Sequence, residues 1–151
     1  SCDVRIASER ATFSTAFARR GLIAEWGLSW MLPRLVGMAH GMELLLSART
    51  VDASEAARLG LVNRVVSPEE LLAQSRSYAV DMATHCAPRS MAVIKREVLQ
   101  HLSTTLDTAE REAMTYMLES FARPDFAEGL AAFREKRPPR FARLGAAGAG
   151  K

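Results

Sequence analysis

Cysteine is nearly absent. Cys2 and Cys86 are the two in 151 residues, with no C-x-x-C pair and no His/Cys cluster. That excludes a disulfide scaffold and a zinc site, and it fits a reducing compartment such as the cytoplasm. No apolar run is long enough to cross a bilayer and no charged-then-apolar leader opens the chain, so no membrane partner is expected. There is no glycine-rich phosphate loop, and Ser29 lacks a G-x-S-x-G elbow. His40, His85 and His101 stand apart with no carboxylate or cysteine at ligand spacing. No metal is therefore expected, and surface or helix-cap roles suit all three. A net charge of +3 is too small to demand nucleic acid.

What is present reads as one globular domain. Hydrophobic residues make up 48% and charged residues 25%, enough to bury a real core. Basic residues crowd the end of the chain at Arg134, Lys136, Arg137, Arg140 and Arg143. A local patch of that kind suits a phosphate-bearing ligand as well as a polyanion.

The alternation of residues 4–7, a short extended run at 11–15 and the apolar segment 61–66 predict strands. Residues 28–36 carry a helical pattern with Pro33 inside it, which predicts a kink or break, and Gly37 ends it. A compact helix over 38–48 follows, then a short one capped by Asp52 or Ser54 and closed by Gly60. Beyond Ser67 the chain reads as all helix. Ser67-Pro68-Glu69-Glu70 supplies a capping serine, a proline at the first helical position and a glutamate three residues after the cap. Four apolar stripes of helical period then run through Leu71–Cys86, Met91–Leu102, Leu106–Phe121 and Phe126–Phe133. They exceed what a small core covers, so part of this layer is expected to face another subunit. Three regions result: a core part over 1–66, a helical region over 67–141, and a Gly/Ala-rich tail over 142–151 expected to be disordered.

One carboxylate stands out. Glu25 lies in Arg19-Arg20-Gly21-Leu22-Ile23-Ala24-Glu25-Trp26-Gly27, on a glycine-bounded turn directly before an apolar helix. A glutamate favoured by the helix dipole explains the position on physics alone, contributing roughly 0.3–1 kcal/mol toward the ionised form. The functional reading sets Glu25 in a closed apolar pocket with Leu22, Ile23, Trp26 and Trp30. Full burial raises a carboxylate by about 3–5 pKa units, so desolvation would outweigh the dipole and make Glu25 a base near working pH.

The motifs Asp3-Val4-Arg5-Ile6-Ala7, Ala11-Thr12-Phe13, Leu32-Pro33-Arg34-Leu35-Val36-Gly37, Ala56-Ala57-Arg58-Leu59-Gly60-Leu61-Val62 and Phe133-Arg134-Glu135-Lys136-Arg137-Pro138 occur in one order. In this the sequence resembles the enoyl-CoA hydratase/isomerase (crotonase) superfamily. The resemblance implies an α/β, crotonase-like fold, a ββα spiral of which only the second half is here. A few short strands would be followed by a mostly helical C-terminal oligomerisation layer. It implies an acyl-CoA thioester as substrate, coenzyme A as part of that substrate with no other cofactor, and a homotrimer or hexamer. It also implies a missing N-terminal half carrying the two backbone N–H groups of the oxyanion hole, without which the chain alone is expected to be inactive.

Family hydratases hold water between two glutamates. One would precede Ser1; the other falls where this chain has Ala16-Phe17-Ala18, and is missing. Glu25 instead matches the single aspartate of the superfamily's double-bond isomerases and chlorobenzoyl-CoA dehalogenases, with one methylene more. The resemblance also matches Phe133 and Lys136 to residues that contact the nucleotide end of coenzyme A; a core aromatic and a solvated charge are the alternatives. The expected activity is double-bond isomerisation by proton transfer. Hydration of an α,β-enoyl-CoA, or a non-catalytic member binding coenzyme A or RNA, are the rivals. The basic segment lacks interleaved aromatics, which disfavours RNA.

Overall fold

Residues 2–144 are described by a computed structural model. Its contacts divide the chain into two units, Ser1–Arg76 and Ser77–Lys151. The division falls inside a helix, rather than after Val66 where the sequence pattern changes.

In the first unit, β1 (Ile6–Ser8) pairs in parallel with β4 (Arg64–Val66), Ile6 opposite Arg64. Such a pairing needs a crossover, and helices fill it. Arg5 secures the register. Its N–H donates to Asn63 Oδ1 at 2.8 Å, its Nε to the Leu61 carbonyl at 2.6 Å, and its own carbonyl accepts from Asn63 N–H. A second pair joins β2 (Thr12–Phe13) antiparallel to β3 (Val51–Asp52). The β2 strand is shorter than the extended run over 11–15 suggested, and β3 is a strand that alternation did not reveal.

Helices α1 (Leu28–Val36), α2 (Met38–Ser47) and α3 (Ala53–Arg58) pack on these strands around Ala7, Leu32, Val36, Leu44, Val51, Ala56, Leu59 and Val62. Asp52 caps α3 by accepting the Glu55 N–H at 2.7 Å, and Gly60 follows its end with φ of +79°. The break expected at Pro33 does not occur, since α1 runs through it. Pro33 lies against Gly41 of α2 so closely that a Cβ there would meet Pro33 Cα at 2.8 Å. The proline ring is accommodated because the facing residue has no side chain.

Helix α4 (Leu71–His85) begins three residues later than the capping pattern indicated. Residues 68–70 form a turn instead, with Ser67 Oγ on Glu70 Oε2 at 3.2 Å and Glu70 N–H on the Ser67 carbonyl. The helical unit continues with α5 (Pro88–His101), α6 (Leu106–Phe121) and α7 (Pro124–Glu135). Pro88 and Pro124 open their helices at positions where the missing N–H costs nothing, and Thr105 caps α6 through the Thr108 N–H. These helices match the four stripes. The tail over 145–151 lies outside the described residues.

Candidate functional site

The segment between β2 and α1 is tied down at its start and free at its end. Ser14 Oγ donates to the Ala48 carbonyl at 2.9 Å, Thr15 Oγ1 to Leu44 at 3.0 Å, and Arg19 Nε to Ser47 at 2.9 Å. These acceptors are carbonyls at the C-terminal end of α2, where a helix has orphan acceptors, although that of Leu44 also takes the Ala48 N–H. A short 3-10 turn over Ala18–Arg20 follows, closed by the left-handed Gly21. The chain then reaches Glu25.

Glu25 accepts the Leu28 N–H through its carbonyl at 3.0 Å across a turn whose inner residues are both left-handed: Trp26 at φ of +55° and Gly27 at +71°. Glycine takes that conformation freely, whereas a bulky residue there carries strain of order 1–3 kcal/mol. The strained peptide thus adjoins the candidate acid. The Glu25 side chain is half-buried, and its carboxylate takes no hydrogen bond or ion pair among the described residues. It is the sole acidic residue from Arg10 through Met42.

The closed chamber expected around Glu25 is not formed by its proposed walls. Trp26 is 94% exposed, Ile23 80%, Leu22 48% and Trp30 40%. Trp30 is covered on one face by the Arg34 guanidinium, 3.9 Å from the ring centroid. These four apolar side chains flank Glu25 in sequence and present a wall that the described residues leave open.

Phe133 and Lys136 sit at the C-terminal end of α7. Phe133 is 83% exposed, so the described residues do not bury it as a core aromatic. Lys136 is also exposed and forms the helix cap in left-handed conformation. Beside them Arg137 donates to both oxygens of Glu128, at 2.6 and 3.1 Å, and to Glu135 at 2.6 Å. That side-chain bond, helped by the Arg140 N–H, holds the Glu128 carboxyl down at about 2.

The first unit has a similar clamp. Arg49 reaches Glu55 at 2.7 and 2.8 Å and also binds Glu43, and these bonds lower both carboxyl pKa values. Carboxylates so satisfied are poor proton shuttles, which separates them from Glu25. Two histidines do meet carboxylates, contrary to the expectation from spacing. His85 pairs with Asp81 at 2.9 Å and His101 with Glu112 at 3.2 Å. The second pair joins α5 to α6, a proximity invisible in linear spacing. No cluster that could hold a metal exists among the described residues, and no helix is long and apolar enough to cross a membrane.

Two clefts were not foreseen. One of about 340 Å³ in the first unit is lined by Phe13, Thr15, Leu28, Leu32, Arg49 and Leu61. Another of about 630 Å³ in the helical unit is lined by Ile94, Tyr116, Met117, Arg123, Phe126 and Phe141. None of the candidate site residues Leu22, Ile23, Glu25, Trp26, Trp30, Phe133 and Lys136 lines either cleft.

Comparison with known proteins agrees with the motifs. A family model described as enoyl-CoA hydratase/isomerase matches residues 1–143. The chain is 36% identical over 140 residues to the probable enoyl-CoA hydratase echA8 of Mycobacterium bovis, covering 93% of this chain and 54% of that protein. It is 35% identical over 137 residues to 4-chlorobenzoyl coenzyme A dehalogenase-1 of an Arthrobacter species, covering 90% and 49% respectively. A crystal structure of a probable enoyl-CoA hydratase/isomerase from Mycobacterium abscessus superposes with a TM-score of 0.90 at 33% identity, covering 93% of this chain and 57% of that one. The chain spans about half the length of the curated relatives it matches. Its α/β fold is crotonase-like. The chain belongs to the enoyl-CoA hydratase/isomerase family.

Proposed function

We propose that this chain carries the proton-transfer group of an enzyme that moves a double bond in an acyl-CoA thioester. The observation behind the reading is the lone carboxylate of Glu25, without a partner among the described residues, on a strained turn, with Ala16-Phe17-Ala18 where a second glutamate would serve hydration. In this mechanism the Glu25 carboxylate removes a proton from the α-carbon of a β,γ-enoyl thioester. The C–H electron pair enters the thioester as a dienolate, and the same carboxyl returns the proton at the γ-carbon. The product is the α,β-enoyl thioester, with no net change in atoms. One group suffices for such a shuttle, whereas adding water needs one group to activate the water and another to protonate the carbanion.

Leu22, Ile23, Trp26 and Trp30 would become the acyl-chain wall once ligand and the rest of the protein cover them, and desolvation would then raise the basicity of Glu25. Enolate stabilisation needs an oxyanion hole, so the chain by itself should be inactive. Phe133 and Lys136 would hold the nucleotide end of coenzyme A. Self-association, as a trimer or hexamer by resemblance, would cover the helical stripes. A hydratase is the second reading, favoured by the names of the relatives.

The deciding experiment is Glu25→Gln in the full-length protein. The substitution keeps size and removes the base, so kcat for β,γ-enoyl-CoA isomerisation should fall by about 10²–10⁴ with the melting temperature unchanged. Retained isomerase activity would refute the assignment. Fast hydration of an α,β-enoyl-CoA by the unmodified protein would transfer the chemistry to the second reading.

A further inference from the structure

Glu128 gathers three hydrogen bonds from residues well beyond it in sequence. Arg137 supplies two from its guanidinium, at 2.6 and 3.1 Å, and the Arg140 backbone N–H supplies a third at 2.7 Å. Lys136 lies just before these donors in the left-handed region, φ 52° and ψ 43°, a cap usually given to glycine. Its N–H reaches the Phe133 carbonyl and that of Arg137 reaches Ala132. A side chain held left-handed persists where its surroundings over-determine it. Here those surroundings are the Glu128 clamp, which secures the strap that folds back along α7.

We propose that Glu128 is the positioning residue of the coenzyme A site: it anchors Arg137 and Arg140 so that Lys136 and Phe133 present one preorganised edge to the ligand's nucleotide end. This rests on the reading of Phe133 and Lys136 as coenzyme A contacts. Glu128 itself would repel phosphate, so it can help binding only through geometry. A contact edge ordered in advance loses less freedom when ligand arrives. Arg137 spends its fork on Glu128 and Glu135, so its guanidinium is already engaged, whereas the side chain of Lys136 is exposed beside it.

The test uses full-length protein with Lys136→Ala, Glu128→Gln and the double variant. Each single change should raise the KM for an acyl-CoA roughly 5- to 30-fold with kcat little altered. The double variant should be no worse than the poorer single, because both changes remove one interaction. The KM for the corresponding acyl-pantetheine thioester, which lacks the nucleotide, should not move in any variant. Arg137→Lys, which keeps the charge and loses the fork, gives the same comparison should Glu128→Gln fail to fold. Lys136→Ala with an unchanged KM would overturn both the contact reading and the positioning role. A KM raised by Lys136→Ala but unaffected by Glu128→Gln would overturn the positioning role alone. So would equal KM increases for the acyl-CoA and acyl-pantetheine substrates in Glu128→Gln.

Discussion

The two units solve burial differently. In the first, short strands and three helices enclose Leu32, Val36, Leu44, Val51, Leu59 and Val62, each almost wholly removed from water. In the helical unit the buried residues among those described are Ala87 and Ala132 alone. Ile94, Val98, Leu106, Met117 and Phe121 are exposed although they fall on clean helical stripes. A periodic apolar pattern therefore specifies a helix and the side of it that seeks cover, but it does not supply the cover. The first unit finds its partner surface within itself; the second carries faces that the described residues leave open.

Substitutions should expose this difference. Leu32→Ala removes a fully packed side chain and leaves a cavity, so it should cost about 2–5 kcal/mol in chemical denaturation. A loss close to zero would mean the first unit is loosely packed. Gly41→Ala drives a methyl into Pro33 backbone, and should cost about 1–3 kcal/mol with α1 and α2 forced apart. If it proves neutral, the close approach is not needed for α1 to run through its proline.

Leu118→Gln in the helical unit should change stability by no more than about 0.5 kcal/mol in the isolated chain. In the associated state it should weaken assembly, read as a smaller sedimenting species. A wild-type chain that sediments as a monomer at micromolar concentration would contradict the self-association proposal. The smallest effect concerns acid. Glu128 has its pKa lowered from 4.5 to about 2, so its pairing stabilises the fold above pH 4.5 and is lost as pH falls toward 2. Glu43 and Glu55 are lowered in the same direction by Arg49, giving the first unit a matching loss. Melting curves should be flat from neutral pH to about 4.5, then decline, and Glu128→Gln should flatten part of that decline.

The helices of the second unit were legible because each turn repeats its apolar residue, a local signal that survives without knowledge of neighbours. The strands were only partly so. Two or three residues carry little alternation, and Val51 becomes a strand because Phe13, far back in sequence, lies opposite it. The glycines around Glu25 marked a turn, but nothing about a tryptophan announces a left-handed residue at Trp26. The isolation of Glu25 from other carboxylates was plain in the linear order, whereas the openness of its four apolar neighbours was not. Exposure depends on what the rest of the fold brings near.

By itself, then, the sequence determined the helical periods, the capping of α3, the family motifs and the lone acid at Glu25, since each depends on residues within a few positions. Tertiary structure alone decided the close approach of Pro33 to Gly41, the pairing of β2 with β3, and the hold of Glu128 on Arg137. Each of those depends on atoms that the chain must fold to bring together, and no linear spacing encodes such distances.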